Sequence, residues 1–326
     1  MAASTTIAMA AAGAGGAPLQ GTLVLPARRV GPGPALLLVQ GSGPTDRDGN
    51  QPPALTTDLL SQLAGILAGF GIASLRYDKR GMHANAASLP REPAVLSEFM
   101  RFEHVVDDAA AMLAALRKRP EIDPARAGLF GHSEGGLIGL ALAARGGADG
   151  PATLVLAATP GRPLAALLRE QLERLGRQHG AGDAVLLPLL DENDHILDQL
   201  QATGDYPPAI PQDLKVLYPH YLRPFLRSLA ALRPVELAAR TTMPALVVNG
   251  TADMQVSADR DALPLGLALA ARRLAGNIHA TNILPEVSHN LKAVAGATDP
   301  GFAGPVAEAV TLALQGWFSG LGWTSA

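Results

Sequence analysis

The sequence contains no cysteine. This absence excludes disulfide bonds, thiolate metal sites and a cysteine nucleophile. Histidine and carboxylate residues also show no convincing metal-ligand spacing. The nearest candidate, Asp191-Glu192-Asn193-Asp194-His195, is interpreted as a solvated turn between helices. We therefore expect no metal and no other cofactor.

Charge of either sign is scarce. Lys and Arg number 26, Asp and Glu number 29, and the formal net charge is −3. Nucleic-acid-binding chains usually carry a basic patch or stripe, and no run of one sign provides one here. We therefore expect neither a nucleic acid nor an anionic membrane as partner.

Long hydrophobic runs are absent as well. The apolar stretches at residues 137–144 and 263–271 are far shorter than the roughly 20 residues that cross a bilayer. Residues 1–19 are rich in Ala and Gly, and they lack the basic residues that precede the apolar core of a signal peptide. We interpret them as a disordered leader and expect a cytoplasmic protein with no membrane partner.

Hydrophobic residues nevertheless make up 48% of the 326 residues, enough for a sizeable core. Short runs rich in Val, Leu and Ile alternate with segments of helical periodicity. This alternation favours an α/β fold, in which a mostly parallel sheet carries helices on both faces. The strands are predicted at residues 21–25, 35–40, 72–77, 127–130, 153–157, 245–249 and 278–284.

One stretch interrupts the alternation. Residues 162–240 contain helical segments separated by prolines and no convincing strand. The stretch is too long for a plain connection. We interpret it as a helical lid (cap) inserted into a core formed by residues 20–161 and 241–326. A second domain without a catalytic purpose is the alternative.

The most informative motif is Gly131-His132-Ser133-Glu134-Gly135, which follows a predicted strand and opens a predicted helix. In a G-x-S-x-G turn the serine lies on a sharp strand-to-helix bend, and both glycines are needed because a Cβ would collide with backbone. Ser133 is therefore the candidate nucleophile.

A serine nucleophile requires a histidine base and a carboxylate that orients it. Asp253 and His289 follow two later predicted strands, in the chain order nucleophile, acid, base that this architecture uses. The rival carboxylates are Asp259, Asp261 and Glu286. His132 flanks the nucleophile and is interpreted as a packing residue.

An oxyanion hole needs two backbone donors. Gln40-Gly41-Ser42-Gly43-Pro44 follows the predicted strand 35–40, where one donor is expected. We assign the donors to the N–H groups of Ser42 and Glu134. An ordinary Gly/Pro turn is the alternative. The supporting residues of the predicted site are Gln40, Gly41, Gly43, Gly131, His132 and Gly135.

These motifs resemble the α/β-hydrolase superfamily, and within it bacterial serine esterases and peptidase-like hydrolases. Residues 40–50, Gln-Gly-Ser-Gly-Pro-Thr-Asp-Arg-Asp-Gly-Asn, resemble the oxyanion-loop signature of that group, and Arg76-Tyr-Asp-Lys-Arg-Gly81 resembles the loop after its next strand. Many relatives have a histidine where this chain has Gln40. Asp46, Arg47, Asp78 and Arg80 are interpreted as ion pairs that fix these loops, with surface roles as the alternative.

The resemblance implies hydrolysis of a small-molecule carboxylic ester through an acyl-serine intermediate. Apolar residues of the predicted lid, such as Leu186, Leu187 and Phe225, favour a short to medium acyl chain. An aminopeptidase or amidase on the same triad is the first alternative, with Asp191, Glu192 and Asp194 as candidates to hold a substrate amino terminus. An acyltransferase and a non-catalytic hydrolase-fold binding protein are further alternatives.

Overall fold

A computed structural model describes residues 4–27, 31–147, 149–296 and 299–324. The chain divides into two compact units. The α/β unit comprises the residues up to Leu89, Val106–Gly161 and the residues from Pro234 onward. The helical unit comprises Pro90–Val105 and Arg162–Arg233.

The α/β unit contains an eight-stranded sheet in the order β1-β2-β4-β3-β5-β6-β7-β8. From β3 onward all neighbours pair in parallel, whereas β2 is antiparallel to both β1 and β4. The prediction of a mostly parallel sheet is confirmed. The strands are β1 Thr5–Ala12, β2 Pro18–Leu25, β3 Gly33–Val39, β4 Ala73–Tyr77, β5 Ile122–His132, β6 Leu154–Ala157, β7 Ala245–Gly250 and β8 His279–Leu284.

Helices connect most of these strands. The helices are α1 Leu59–Gly69, α2 Pro93–Phe99, α3 Phe102–Arg117, α4 Glu134–Arg145, α5 Leu164–Gln178, α6 Asp183–Thr203, α7 Arg223–Ala231, α8 Pro234–Arg240, α9 Leu263–Ala270 and α10 Glu308–Gly320. In the described ranges no helix has both the length and the apolar character needed to span a membrane.

Helices cover both faces of the sheet. On one face, apolar residues of α1 and α10 pack in one cluster with alternate residues of the central strands, such as Leu36, Phe130 and Val155. On the other face α4 approaches closely, because Gly139 has no side chain. A Cβ there would lie 2.8 Å from the Leu129 side chain and 2.9 Å from that of Leu154.

The helical unit has a core of its own, formed around Ile196, Leu197 and Leu200 of α6. The interpretation of residues 191–195 as a turn is wrong, because they lie in the middle of α6. Asn193 is buried there and accepts a hydrogen bond from the Tyr218 hydroxyl at 2.5 Å. This partner from a distant segment satisfies the buried amide. Asn193 can therefore lie inside a helix, although the sequence around it resembles a turn.

The disordered leader predicted over residues 1–19 is also wrong where the chain is described, since β1 and the start of β2 form a hairpin there. Residues 1–3 of that prediction lie outside the described residues. Small side chains alternate between exposed and half-buried positions along β1, a weak period-2 signal. The helical unit also differs in extent from the predicted lid, because it ends at Arg233 and includes Pro90–Val105.

A buried ion pair between Arg80 and Asp108 connects the turn of the N-terminal hairpin to α3. The guanidinium of Arg80 donates to Asp108 at 2.6 and 2.7 Å, and both side chains are 2% exposed. Asp108 Oδ1 also accepts the backbone N–H of Ala14, in the turn of the hairpin. A charge buried this deeply is tolerated only while its partner is present.

We expect Asp108→Asn to lower the free energy of unfolding by about 3 to 5 kcal/mol, because buried Arg80 loses the carboxylate with which it pairs. Asp107 is the matched control, since it pairs with Arg145 at a site where both side chains are more than 40% exposed. Asp107→Asn is expected to cost less than about 1 kcal/mol in urea unfolding. Equal losses in the two variants would contradict this assignment.

A second buried cation, Lys292, has neutral partners. Its Nζ donates to Gln62 Oε1 at 2.8 Å and to the Gly304 carbonyl at 2.9 Å. Gln62 Oε1 also accepts the N–H of Val306. Burial lowers the pKa of Lys292 to about 8. Protonated Lys292 is therefore disfavoured in the folded chain relative to the unfolded chain.

We expect this pKa shift to appear as pH-dependent stability. Between pH 8 and about 10.5 the unfolded chain binds more protons at Lys292 than the folded chain, so stability increases with pH. The unfolding free energy of wild type relative to Lys292→Met should therefore rise by about 1 to 3 kcal/mol between pH 7 and pH 10. A difference between the two proteins that does not change with pH would contradict the shift.

Candidate active site

Ser133 is the single residue between β5 and α4. Its backbone has φ 55° and ψ −122°, a conformation that is strained for a residue with a Cβ. Its N–H donates to the carbonyl of Ala157 on the neighbouring strand at 2.9 Å. The hydroxyl does not cap α4. The side chain is therefore held at a sharp bend beyond the carboxyl end of the sheet.

The glycines of the motif are required by close backbone packing. A Cβ on Gly131 would lie 2.3 Å from the Gly135 carbonyl oxygen, and a Cβ on Gly135 would lie 2.2 Å from that of Val39. Carbon and oxygen cannot approach so closely. The predicted steric role of both glycines is confirmed.

Asp253 and His289 lie together beyond the ends of β7 and β8. His289 Nδ1 is 2.9 Å from Asp253 Oδ2 and 3.1 Å from Oδ1. Asp253 Oδ1 also accepts the backbone N–H groups of Gln255 and Val256, both at 2.8 Å. The Asp253 side chain is fully buried. The two backbone N–H groups therefore fix the orientation of the carboxylate independently of the imidazole.

The rival carboxylates have other positions. Asp261 is buried, and it accepts N–H groups from Gly161 at 3.0 Å and from Ser257 at 2.9 Å. Asp259 and Glu286 are exposed. Asp253 is the carboxylate that contacts His289.

His132 supports the backbone of His289. Its Nε2 is 2.8 Å from the His289 carbonyl oxygen, and the two rings lie 4.9 Å apart. Burial lowers the pKa of His132 to about 3, so the ring is neutral at physiological pH. A carbonyl oxygen can only accept, so Nε2 carries the proton and donates it.

The backbone N–H groups of Ser42 and Glu134, the two candidate oxyanion donors, have no hydrogen-bond partner among the described residues. Glu134 is the first residue of α4, where N–H groups have no acceptor within the helix and the helix dipole favours negative charge. A Cβ on Gly41 would lie 3.2 Å from the Ser133 Cβ, so the glycine keeps this backbone close to the serine.

The loop after β3 is anchored to the end of β4. Gln40 Nε2 donates to the Tyr77 carbonyl at 2.9 Å. Arg47 pairs with Asp78 at 2.5 Å, as the predicted loop-fixing role requires. Asp46 instead accepts backbone N–H groups within its own loop. Arg80 pairs with Asp108, which the sequence reasoning did not identify.

Lys79 is a further residue of the site that sequence reasoning missed. Its Nζ lies 2.6 Å from the Gly41 carbonyl oxygen, 3.0 Å from that of Gly43 and 3.4 Å from Glu134 Oε1. Its only sequence signal is its place in the Arg76–Gly81 motif, between Asp78 and Arg80, the two residues that are predicted to form ion pairs. Its contacts lie 36 to 55 positions away along the chain.

Ser133 and His289 line one cavity of about 180 Å³. Its described lining contains no Asp, Glu, Lys or Arg. Within the described ranges there is also no group of three or more His, Asp or Glu that could hold a metal ion. The lining residues are Gln40, Gly41, Ser42, Thr45, Gly49, Gln51, Leu55, Leu59, Leu60, His132, Ser133, Gln255, His289, Asn290 and Phe302.

Solved structures with the same fold include hydrolases of several kinds. Est1E from Butyrivibrio proteoclasticus has a TM-score of 0.58 and 18% identity, covering 96% of this chain and 98% of its own. A puromycin-hydrolyzing peptidase from Mycobacterium tuberculosis has a TM-score of 0.57 and 20% identity, covering 98% of this chain and 39% of its own. At these identities the likeness establishes the fold alone, the α/β-hydrolase fold.

Sequence relatives agree with the resemblance in the motifs. Esterase EstD from Thermotoga maritima is 30% identical over 239 residues, 73% of this chain. The chain spans about half the length of this curated relative, 51%. The family model described as serine aminopeptidase, S33, matches residues 56–292. This chain therefore belongs to the serine aminopeptidase S33 family of α/β hydrolases.

Proposed function

We propose that this chain is a serine carboxylesterase that cleaves short-chain esters through an acyl-serine intermediate. The observation that carries the proposal is the placement of Ser133 and His289 on one cavity wall, with Asp253 bonded to His289 at 2.9 Å. A strained serine, an oriented imidazole and a buried carboxylate are the parts that acyl transfer requires.

In the acylation step, Ser133 Oγ attacks the ester carbonyl carbon and its proton passes to His289 Nε2. The carbonyl oxygen becomes an oxyanion, which accepts hydrogen bonds from the N–H groups of Ser42 and Glu134. When the C–O bond to the alcohol breaks, His289 returns its proton to the leaving oxygen. Asp253 holds the imidazole in the tautomer with Nδ1 protonated.

Water completes the cycle. It attacks the acyl-Ser133 carbonyl while His289 takes one of its protons, and a second tetrahedral oxyanion forms at the same two N–H groups. Collapse of that intermediate releases the carboxylic acid and returns the proton to Ser133 Oγ. The neutral lining of the cavity agrees with an uncharged acyl group.

The same lining disfavours an aminopeptidase, despite the name of the family. An aminopeptidase holds the ammonium of its substrate with carboxylates, and the described cavity wall carries none. The residues considered for that task lie on α6 of the helical unit. Asp191 and Asp194 both pair there with Arg169, which offsets one of their two negative charges. The 30% identical relative is named an esterase.

The volume of the cavity favours a short acyl chain. At about 180 Å³ it is smaller than the roughly 300 to 1,000 Å³ of most drug-sized ligand sites. Its apolar wall consists of Leu55, Leu59, Leu60 and Phe302. In the proposed complex these side chains contact an acetyl or butyryl group. A longer acyl chain would need a longer channel.

We expect the highest kcat/KM on p-nitrophenyl acetate or butyrate, with a loss of about tenfold or more on laurate, because a long chain leaves apolar surface in water. Alanine p-nitroanilide should react at less than about 1% of the butyrate kcat/KM, since no carboxylate meets its ammonium. Ser133→Ala should remove turnover of every substrate. Ester turnover that survives this substitution, or a preference for the anilide, would contradict the proposal.

The two histidines of the site provide a matched pair. His289→Gln should lower kcat by about 10³-fold or more, because the base is lost. His132→Gln should retain kcat within about tenfold, because the glutamine amide still donates to the His289 carbonyl. Measurement of kcat for both variants on p-nitrophenyl butyrate tests the assignment. Equal losses would show that the two roles are not distinct.

A further inference from the structure

Lys79 contacts both segments that carry the candidate oxyanion donors. It lies two residues beyond the end of β4, and its side chain is 11% exposed. The backbone around it is fixed, since Asn85 Nδ2 donates to the Asp78 carbonyl at 2.8 Å and to the Lys79 carbonyl at 3.3 Å. The ammonium is thus held close to the loop after β3.

The contact with Gly41 joins Lys79 to a donor through one peptide unit. The carbonyl of Gly41 and the N–H of Ser42 belong to the same planar amide, and in a trans peptide they point in opposite directions. The carbonyl accepts from Lys79 Nζ at 2.6 Å. A charge-assisted bond to the carbonyl withdraws electron density from the amide and strengthens its N–H as a donor.

Further bonds fix the orientation of this amide. The Gly43 carbonyl also accepts from Lys79, and the Ser42 carbonyl accepts from Thr45 Oγ1 at 2.8 Å and from Gln51 Nε2 at 3.1 Å. Three consecutive carbonyls therefore have side-chain partners. The N–H of Ser42, which lies among them, has none in the described part of the chain.

The second donor is connected to the same cation. Glu134 supplies a free N–H at the start of α4, and its carboxylate lies 3.4 Å from Lys79 Nζ. This carboxylate side chain is also only 11% exposed, so the ion pair is largely removed from solvent. Lys79 and Glu134 together fix the loop after β3 relative to the N-terminus of α4.

We propose that Lys79 is a positioning residue of the oxyanion hole, which aligns and polarises the Gly41–Ser42 amide and couples it to Glu134. The proposal rests on the proposed function, because the Ser42 donor acts only on a reacting carbonyl. Lys79 itself makes no contact with substrate. Its contribution increases as the oxyanion forms, so it acts on kcat and not on substrate affinity.

The test compares Lys79→Met and Lys79→Arg with Lys118→Met. The control variant removes an exposed lysine that directly follows the last residue of α3. Two rates are measured for each protein: turnover of p-nitrophenyl acetate, and phosphorylation of Ser133 by diethyl p-nitrophenyl phosphate. In the second reaction Ser133 Oγ bonds to phosphorus, p-nitrophenolate leaves and His289 takes the serine proton. That reaction needs the oxyanion hole but no carboxylic ester.

We expect Lys79→Met to lower kcat by about 10- to 30-fold with KM within about twofold, less than the loss of a whole donor. Phosphorylation should slow by a similar factor. Lys79→Arg should recover part of both rates, since it keeps the charge but not the geometry. Lys118→Met should match wild type. Wild-type kcat in Lys79→Met, or a change confined to KM, overturns the proposal.

Two further results separate this inference from the proposed function. If wild type phosphorylates at Ser133 but hydrolyses no ester, the esterase proposal fails and the phosphorylation rates alone decide the role of Lys79. If wild type does neither, both proposals fail. Should Lys79→Met not fold, Lys79→Arg carries the test, with an expected loss of about threefold in kcat at unchanged KM. Wild-type rates in that variant would then overturn the inference.

Discussion

The close packing of the bend at Ser133 determines the rest of the site. At Gly131 and Gly135 the backbones of β3, β5 and α4 approach to distances that no Cβ permits, and Ser133 between them adopts φ 55°. Local strain of this kind persists only when the surrounding structure holds it. The buried strands on either side, and the bond from the Ser133 N–H to Ala157, provide that support. Glu134, whose N–H has no partner among the described residues, directly follows Ser133 in this bend, so one turn provides both the candidate nucleophile and a candidate donor.

Fixed polar contacts assemble the other parts around this bend. The Asp253 carboxylate is oriented by two backbone N–H groups before it meets His289, and neutral His132 holds the His289 carbonyl. On the opposite side, Gln40 and Lys79 connect the loop after β3 to the end of β4. These groups are buried, apart from half-buried Lys79, so their hydrogen bonds are costly to break and the geometry is held before substrate arrives. Such preorganisation is the main source of transition-state stabilisation in acyl transfer.

The sequence reveals the parts of this arrangement that depend on local pattern. Alternating strands and helices predicted the sheet, and the G-x-S-x-G turn with two later strand ends predicted the residues that now lie together. Contacts between distant positions left no such pattern. Lys79 reaches Glu134 across 55 positions, and Arg80 finds Asp108 on α3 instead of a partner in its own loop. Strand β1 of the N-terminal hairpin was missed, whereas most of β2 was predicted, because the small side chains of β1 carry little periodic signal and the hairpin turn is bonded to distant Asp108. The prediction of a turn at residues 191–195 was wrong because exposed helices and turns can have the same polar composition.

In the proposed mechanism, Ser133 carries the acyl group of an ester during turnover. The most direct test is an acid quench of the protein during reaction with p-nitrophenyl butyrate, followed by peptide mass spectrometry. We expect one butyryl group on the peptide that contains Ser133, present during turnover and absent after the substrate is exhausted. A butyryl group on a different residue during turnover, with none on Ser133, would contradict it.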